Sequence, residues 1–451
     1  MIDLLFVNGQ YPDFAENVIK QGNIGLKDGK IKYVGNQRPE AKEVVDVSGR
    51  IVSPGFIDIH MHEENFHDEG KDYVIAQMML EMGVTTAVGG NCGIQNQRLA
   101  DFKSVINDNG GSPINYIMLA GYNSFRTELG IGRYDNASSE QRKIIKGKLL
   151  EELEEGAYGI SFGIEYDPGI TYAEIIEAID GIEDTNLIVS AHYREDCLVD
   201  ISSIEEMIKI AKEIPMKFQI SHLSSCSAMG LMEESLITIN KAIENNPRLD
   251  FDTYPYNAFS TRIGSTVFED GCLEGWNKDY ADILLTDEPY KDVRCTKEIF
   301  NNAREKYPDM LAVAFVMNES EIAAAIRNKN GMIASDAIIA NGNGHPRAAG
   351  TFPRVLGKYV REDKVISLID AIRKMTLEPA KRLELETKGR IGVGYDADIT
   401  IFDPDTIIDG ATFSDLHIKP IGIEYVLVNG QIAMKNNQTI NNRLGKFISY
   451  K

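Results

Sequence analysis

Seven histidines are spread through this 451-residue chain, and four of them stand where they could hold a metal ion. His60 and His62 close the run Ile51-Val-Ser-Pro-Gly-Phe-Ile-Asp-Ile-His-Met-His62. Phe56, Ile57 and Ile59 are bulky and apolar, as in a strand buried within a parallel sheet. Alternate residues of a strand share a face, so both imidazoles project the same way. Two neutral imidazoles side by side make half of a transition-metal site. His192 follows the apolar run Leu187-Ile-Val-Ser-Ala, and His222 follows Phe218-Gln-Ile-Ser. Both therefore also fall at the ends of predicted strands.

Two further residues could take part in the chemistry. Cys92 sits in Gly89-Gly-Asn-Cys-Gly93, where flanking glycines let the backbone bend tightly. Its residue pattern alone suits either a thiolate ligand or an inert buried thiol. Asp336 lies in Ala334-Ser-Asp-Ala337, at the end of another apolar run. A carboxylate beside a metal-activated water can take its proton and later return it to a leaving nitrogen. The competing role is a helix cap.

The elements that must position these residues repeat regularly. Strands are predicted at Phe56–Ile59, Thr85–Gly89, Tyr116–Ala120, Gly159–Phe162, Leu187–Ala191, Phe218–Ser221, Asp250–Thr253 and Ala334–Asp336. Amphipathic helices are predicted between them, such as Ser139–Gly156, Thr171–Ile182, Ile204–Glu213 and Glu233–Asn246. Such alternation predicts a (β/α)₈ TIM-type barrel over residues 54–387, whose strand C-termini converge on one mouth. Residues 1–53 and 388–451 read as short strands and hairpins, with turn signals at Asp28-Gly29 and Asn429-Gly430. They predict one small β-sandwich domain built from both ends of the chain. The interval of about 259–331 is too long for one connection and is expected to be an inserted lid subdomain.

Composition narrows the function classes. A net charge of −21 argues against nucleic acid and anionic membrane partners. No apolar run approaches transmembrane length, and the N-terminus lacks the marks of a signal peptide. Five widely spaced cysteines fit a reducing cytoplasm without structural disulfides. The expected partner is a small molecule; the composition leaves a homo-oligomer open.

Taken together, these motifs resemble the amidohydrolase superfamily. Pro54-Gly-Phe-Ile-Asp-Ile-His-Met-His62 is similar to its first-strand signature, and Gly90-Asn-Cys-Gly93 to its D-aminoacylase (N-acyl-D-amino-acid deacylase) branch. That branch has a cysteine where many relatives use a carboxylated lysine. Ala191-His-Tyr-Arg194, Asp252-Thr-Tyr-Pro-Tyr256 and His345-Pro-Arg-Ala-Ala-Gly350 agree with it. The resemblance implies a binuclear-type zinc centre. Cys92, His192 and His222 would hold the tight zinc. His60 and His62 would form a second, weaker site sharing Cys92, one that relatives do not always fill. It implies Asp336 as general base and acid, and Tyr254 or Tyr256 with Arg347 as the grip on a substrate carboxylate. The reaction implied is hydrolysis of an N-acyl-D-amino acid, or a related N-acyl compound or D-dipeptide, to a carboxylate and a free D-amino acid.

One departure stands out. Deacylases of this branch carry a lysine two residues after the strand-six histidine, and Ser224 occupies that place here. Arg262 is expected to supply the missing charge or to read an acidic substrate side chain. Three other functions are weighed against the deacylase. Hydantoinase- or dihydroorotase-like hydrolysis of cyclic amides shares the metal chemistry, as does a deaminase of the same superfamily. A catalytically silent binding protein needs none of the acid–base residues, yet all of them are present.

Overall fold

The computed structural model describes residues 1–67, 70 and 72–451. At its centre run parallel strands Phe56–Asp58, Val84–Gly89, Asn115–Met118, Gly159–Gly163, Ile188–His192, Lys217–Ile220, Leu249–Thr253 and Met332–Ile333. They pair in chain order. Tyr158 N–H donates to Met118 O at 2.8 Å and joins the third strand to the fourth. Asp336 N–H donates to His60 O, and His62 N–H to Ala337 O, each at 2.8 Å, joining the eighth strand back to the first. The (β/α)₈ ring is closed by these bonds.

The sequence explains both kinds of element. Every residue of Val84–Gly89, Gly159–Gly163 and Ile188–His192 is buried, which is why these strands read as unbroken apolar or small-residue runs. The helix Ser202–Glu213 buries Ile204, Met207, Ile208 and Ala211, the i, i+3, i+4, i+7 stripe of a helix lying on a barrel. The helix Ser139–Glu154 starts at a capping box, in which Ser138 and Gln141 satisfy each other's backbone N–H groups. No described helix is long and apolar enough to cross a membrane.

Both chain ends meet in a nine-stranded sheet. Ile51–Pro54 pairs antiparallel with Ile399–Phe402, so the N-terminal and C-terminal strands share one ladder. Leu4, Phe6, Ile24, Leu26, Val52, Ile399, Ile401 and Leu427 form a common core. Ile2–Asp13 pairs with Ala41–Asp46 before an irregularity at Phe6/Gly9 and with Ile51 after it, so the ladder forks there. The chain leaves this sheet at Pro54 and enters the barrel at Phe56. Gly55 between them is required by space: a Cβ there would lie 2.2 Å from Thr85 Oγ1.

The insertion is a four-stranded antiparallel sheet of Phe259–Arg262, Leu311–Ala314, Ile283–Leu285 and Val293–Arg294. Phe259, Phe268, Trp276 and Phe300 pack edge to face beneath it. It ends sooner than expected from sequence. The helix Glu319–Arg327 docks on the barrel instead, where Glu321 accepts from Gly230 N at 2.8 Å and Asn318 N–H donates to Ala228 O at 2.7 Å. That helix is the connection into the eighth strand.

Candidate metal centre

Six of the side chains singled out above converge at the C-terminal mouth of the barrel. His60, His62, Cys92 and Asp336 bring donor atoms within 4.8 Å of one another. Cys92, His192 and His222 do the same, so the Cys92 sulfur belongs to both sets. Cys92 Sγ stands 3.3 Å from His60 Nε2 and 3.4 Å from His222 Nε2. His192 Nδ1 is 3.0 Å from His222 Nε2. Asp336 Oδ1 is 3.5 Å from His60 Nε2 and 3.4 Å from His62 Nε2. All six side chains are buried.

Half of this cluster sits in a backbone conformation that L-residues rarely adopt. Cys92, His222 and Asp336 have φ of 52°, 33° and 50°. Such residues cost about 1–3 kcal/mol each and persist only where the surroundings over-determine them. Around Cys92 those surroundings are explicit. Glu63 accepts from Gly90 N and Asn96 N, both at 2.8 Å, and Ser161 Oγ accepts from Gly93 N at 2.9 Å. Gly90 and Gly93 have φ of 72° and 73°, and a Cβ on either would lie 2.0 Å from Leu119 O or 1.8 Å from Asn123 Oδ1. The glycines beside the sulfur are thus fixed by both φ and space. At His222, Asp252 Oδ1 accepts the backbone N–H at 2.7 Å.

Three residues that the sequence reasoning did not single out orient the rings. Glu165 Oε2 lies 2.7 Å from His192 Nε2, which leaves Nδ1 turned toward His222 and Cys92. Ser225 Oγ lies 2.7 Å from His222 Nδ1. Asp252 Oδ1 stands 3.3 Å from His60 Nδ1, a charge contact without hydrogen-bond alignment, while Nε2 of that ring faces the sulfur. A carboxylate on the far nitrogen fixes a ligand's tautomer and strengthens its basicity. Only one signal pointed at any of them: Asp252 opens the motif Asp252-Thr-Tyr-Pro-Tyr256 at a strand end. Glu165 and Ser225 are single polar residues beside larger motifs, with no periodicity to mark them.

The electrostatics favour a cation. Burial pushes the Cys92 thiol up, but the His60 and His222 rings outweigh it and hold the thiol well below its ordinary value. Burial likewise opposes a charge on His62 and His192, yet hydrogen bonds to Asp336, Glu165 and Cys92 raise both to about 9. A buried thiolate and a buried carboxylate thus face four imidazoles. His62 Nδ1 is buried with no hydrogen-bond partner among the described residues. Thiolate and imidazole donors in this number fit a borderline-soft divalent metal.

Beside the cluster lies a cavity. Glu165, Tyr166, Asp196 and Ser225 line it from the barrel, and Phe259, Ser260, Thr261 and Val267 from the insertion. Arg347 is buried next to it, with Nη1 3.0 Å from Asp336 Oδ2 and Nη2 donating to Ser260 O at 3.1 Å. Its guanidinium lies over the Tyr254 ring at 4.7 Å. Ser224 is buried on the short helix Leu223–Ser227, and its hydroxyl has no partner among the described residues.

Two expected substrate contacts are not brought here. Tyr256 turns its hydroxyl away, toward Pro346 O at 3.4 Å and Asp409 Oδ2 at 3.3 Å. Arg262 is exposed and faces Asp309 at 3.6 Å. It is the last residue of its strand, where the inserted sheet runs out into solvent, so its charge lies outside the cavity. His345 meets Tyr256 edge to face and accepts from Arg347 N at 2.9 Å, a support for the Arg347 backbone. His67 is exposed and outside the cluster.

Known proteins resemble this chain along its whole length. D-aminoacylase from Alcaligenes xylosoxydans xylosoxydans is 29% identical over 99% of this chain and 97% of its own length. A crystal structure of D-aminoacylase matches with a TM-score of 0.90 at 26% identity, covering 100% of both chains. N-acyl-D-glutamate deacylase from Bordetella bronchiseptica, solved with zinc and a phosphonate mimic of the tetrahedral intermediate, matches at 0.87 and 25%, covering 99% of each. The amidohydrolase family profile matches residues 51–433, from the last N-terminal strand of the shared sheet, through the whole barrel, to the C-terminal hairpin. The chain belongs to the amidohydrolase family.

Proposed function

We propose that this protein is a zinc-dependent deacylase that hydrolyses the amide bond of N-acyl-D-amino acids, giving a carboxylate and a free D-amino acid. The observation that carries the reading is the Cys92 sulfur shared between two histidine sets, with Asp336 at its edge and a cavity alongside. Likeness to D-aminoacylase over the full length of both chains supports the substrate class and the preference for D-isomers.

Cys92, His192 and His222 would hold the tighter zinc, and His60 and His62 the weaker one. Bound there, zinc supplies Lewis acidity toward the amide carbonyl and toward water. The remaining work falls to the chain. Asp336, kept ionised by Arg347, takes the proton of the attacking water. It then returns that proton to the departing nitrogen, without which an amine is a very poor leaving group. Arg347 Nε and the Ser224 hydroxyl are buried donors without partners among the described residues, and Tyr254 holds the guanidinium from below. These groups are suited to the substrate α-carboxylate, since an arginine fork meets a carboxylate along two parallel bonds.

The cavity wall refines the class. Its acidic residues include Glu165 and Asp196, and no lysine or arginine lines it among the described residues. With Arg262 outside, no cationic side chain of the wall pairs an acidic substrate side chain. The protein therefore prefers neutral side chains. Five free cysteines suit the reducing cytoplasm in which such an enzyme would work.

The deciding experiment supplies zinc and compares N-acetyl and N-formyl D- and L-amino acids with hydantoins and dipeptides. Release of D-amino acids, faster from N-acetyl-D-leucine than from N-acetyl-D-glutamate, is expected. Turnover confined to cyclic amides would overturn the reading. Faster turnover of the glutamate substrate would overturn the side-chain assignment alone.

A further inference from the structure

Two thiols meet behind one wall of the cavity, outside the metal centre. The sulfurs of Cys197 and Cys226 are 3.6 Å apart, and both residues are free and buried. Cys197 lies in the loop after Ile188–His192, and Cys226 in the helix Leu223–Ser227 after Lys217–Ile220. Cys197 N–H donates to Cys226 O at 2.9 Å, which ties the two loops together at backbone level. The thiol pair is thus held face to face before any bond exists. A hydrogen bond from Cys226 also draws the Cys197 thiol below its ordinary value, against its burial.

The chain neighbours of both cysteines belong to the site. Asp196 and Ser225 line the cavity. Ser225 Oγ holds His222 Nδ1 at 2.7 Å and accepts from the Tyr193 hydroxyl at 3.1 Å. Asp196 Oδ2 accepts from Trp276 Nε1 of the insertion at 2.7 Å. Movement of either sulfur therefore reaches a metal-centre histidine on one side and the insertion on the other. Burial sets the size of any oxidant. A tripeptide disulfide cannot reach sulfurs with 0–1% exposure, so the oxidant must be as small as a peroxide.

We propose that Cys197 and Cys226 form a redox modification site, converted to a disulfide by hydrogen peroxide. The Cys197 sulfur attacks a peroxide oxygen, the O–O bond breaks, and a sulfenic acid and one water result. The Cys226 sulfur then displaces the sulfenic hydroxyl, which leaves as a second water with the Cys226 proton. Two thiols are oxidised by two electrons in all, and one peroxide is reduced. A disulfide places its sulfurs about 2.05 Å apart, so the sulfurs close by roughly 1.5 Å and pull on the loop and the short helix that carry them. Ser225 moves with them, and His222 loses its alignment. Loss of such a supporting bond weakens metal binding by about 10–100-fold. Thiol reductants restore the open pair.

The modification stands independently of the deacylase reading; only its effect on turnover rests on that reading. The test treats zinc-loaded, full-length protein with hydrogen peroxide, maps peptides without reduction, and measures zinc retention against a competing chelator. Wild type should yield a Cys197–Cys226 cross-linked peptide and hold zinc roughly tenfold less tightly. Dithiothreitol should reverse both changes. Cys197→Ser keeps Cys92 and every site residue, so it should bind zinc normally before peroxide and show no reversible loss after it. Absence of the linked peptide while the half-buried Cys272 becomes oxidised would overturn the proposal. So would equal loss in Cys197→Ser, which would trace the effect to Cys92. If no N-acyl-D-amino acid is ever hydrolysed, the peptide and zinc readouts still decide the matter.

Discussion

Arg347 Nη1 lies 3.0 Å from Asp336 Oδ2, and both side chains are buried. Burial alone pushes the Asp336 carboxyl up. The Arg347 guanidinium, with His222 and His62, outweighs it and holds the carboxyl well below the usual carboxylate range. The proposed general base is therefore ready in its ionised form at neutral pH. Arg347→Met leaves a buried carboxylate without its counter-charge, so its pKa climbs and the acid limb of the pH–activity profile moves to higher pH. Arg347→Lys returns the charge without the fork that also reaches Ser260, and should recover only part of the shift. An acid limb that stays in place in the Met variant would assign Arg347 to substrate binding alone.

Asp336→Asn keeps the shape of the side chain and removes its basicity. Metal content should stay near that of the wild type, while kcat falls by about 100- to 10,000-fold, the range of general acid–base catalysis. Elemental analysis beside steady-state kinetics separates the two effects. Near-normal turnover would remove Asp336 from the mechanism.

Glu165 and Asp252 act through the rings that they touch. Glu165→Gln loosens the hold on His192 Nε2, and Asp252→Asn the hold on His60 Nδ1. Each should weaken metal binding roughly 10–100-fold, measured by chelator competition. The Glu165 change should act on the tighter site and the Asp252 change mainly on the weaker one. The reverse ranking would exchange the two sites.

Lys374 offers a pH test away from the metal. Its Nζ donates to Asn330 O and Gly331 O, both at 2.7 Å. Burial lowers its pKa from 10.5 to about 8, although Asp250 pulls the other way. Between those values the unfolded chain binds more protons than the folded one, so this residue's contribution to stability rises with pH across that window. Below about pH 8 the penalty for a buried charge is present in full. Relative to Lys374→Met, the wild type should gain up to about 1.4 kcal/mol per pH unit as pH climbs through the window. Urea unfolding of both proteins at about pH 7.5 and about pH 9.5 measures the difference. A constant gap would show that the ammonium is not desolvated.

The barrel was legible because its strands are buried on both faces and its helices on one, and these patterns are local. His60, His62, His192 and His222 could be placed because each ends a strand, and a barrel gathers strand ends. Cys92 was not legible from residue type. What distinguishes it is a backbone at φ 52° held by Glu63 and Ser161, and sequence spacing does not show φ. Arg262 misled for a related reason. Its distance from the site depends on how far the strand Phe259–Arg262 runs past the cavity, which is set by pairing with Leu311–Ala314, about fifty residues on. The insertion's end was misjudged because Glu319–Arg327 has the same apolar stripe whether it packs on a lid or on a barrel.

The two backbone bonds between His60–His62 and Asp336–Ala337 are the seam of the barrel, and a proposed metal ligand, His62, or the proposed general base, Asp336, donates at each. Zipping the last stave to the first therefore also sets Asp336 opposite the imidazoles. A chain with seven staves assembled has its sulfur in place but no proton carrier. An ion seated among these side chains acts as a rivet across that seam. Stripping it should let amide hydrogens there exchange sooner than those between the fifth and sixth staves, which no metal needs to fasten.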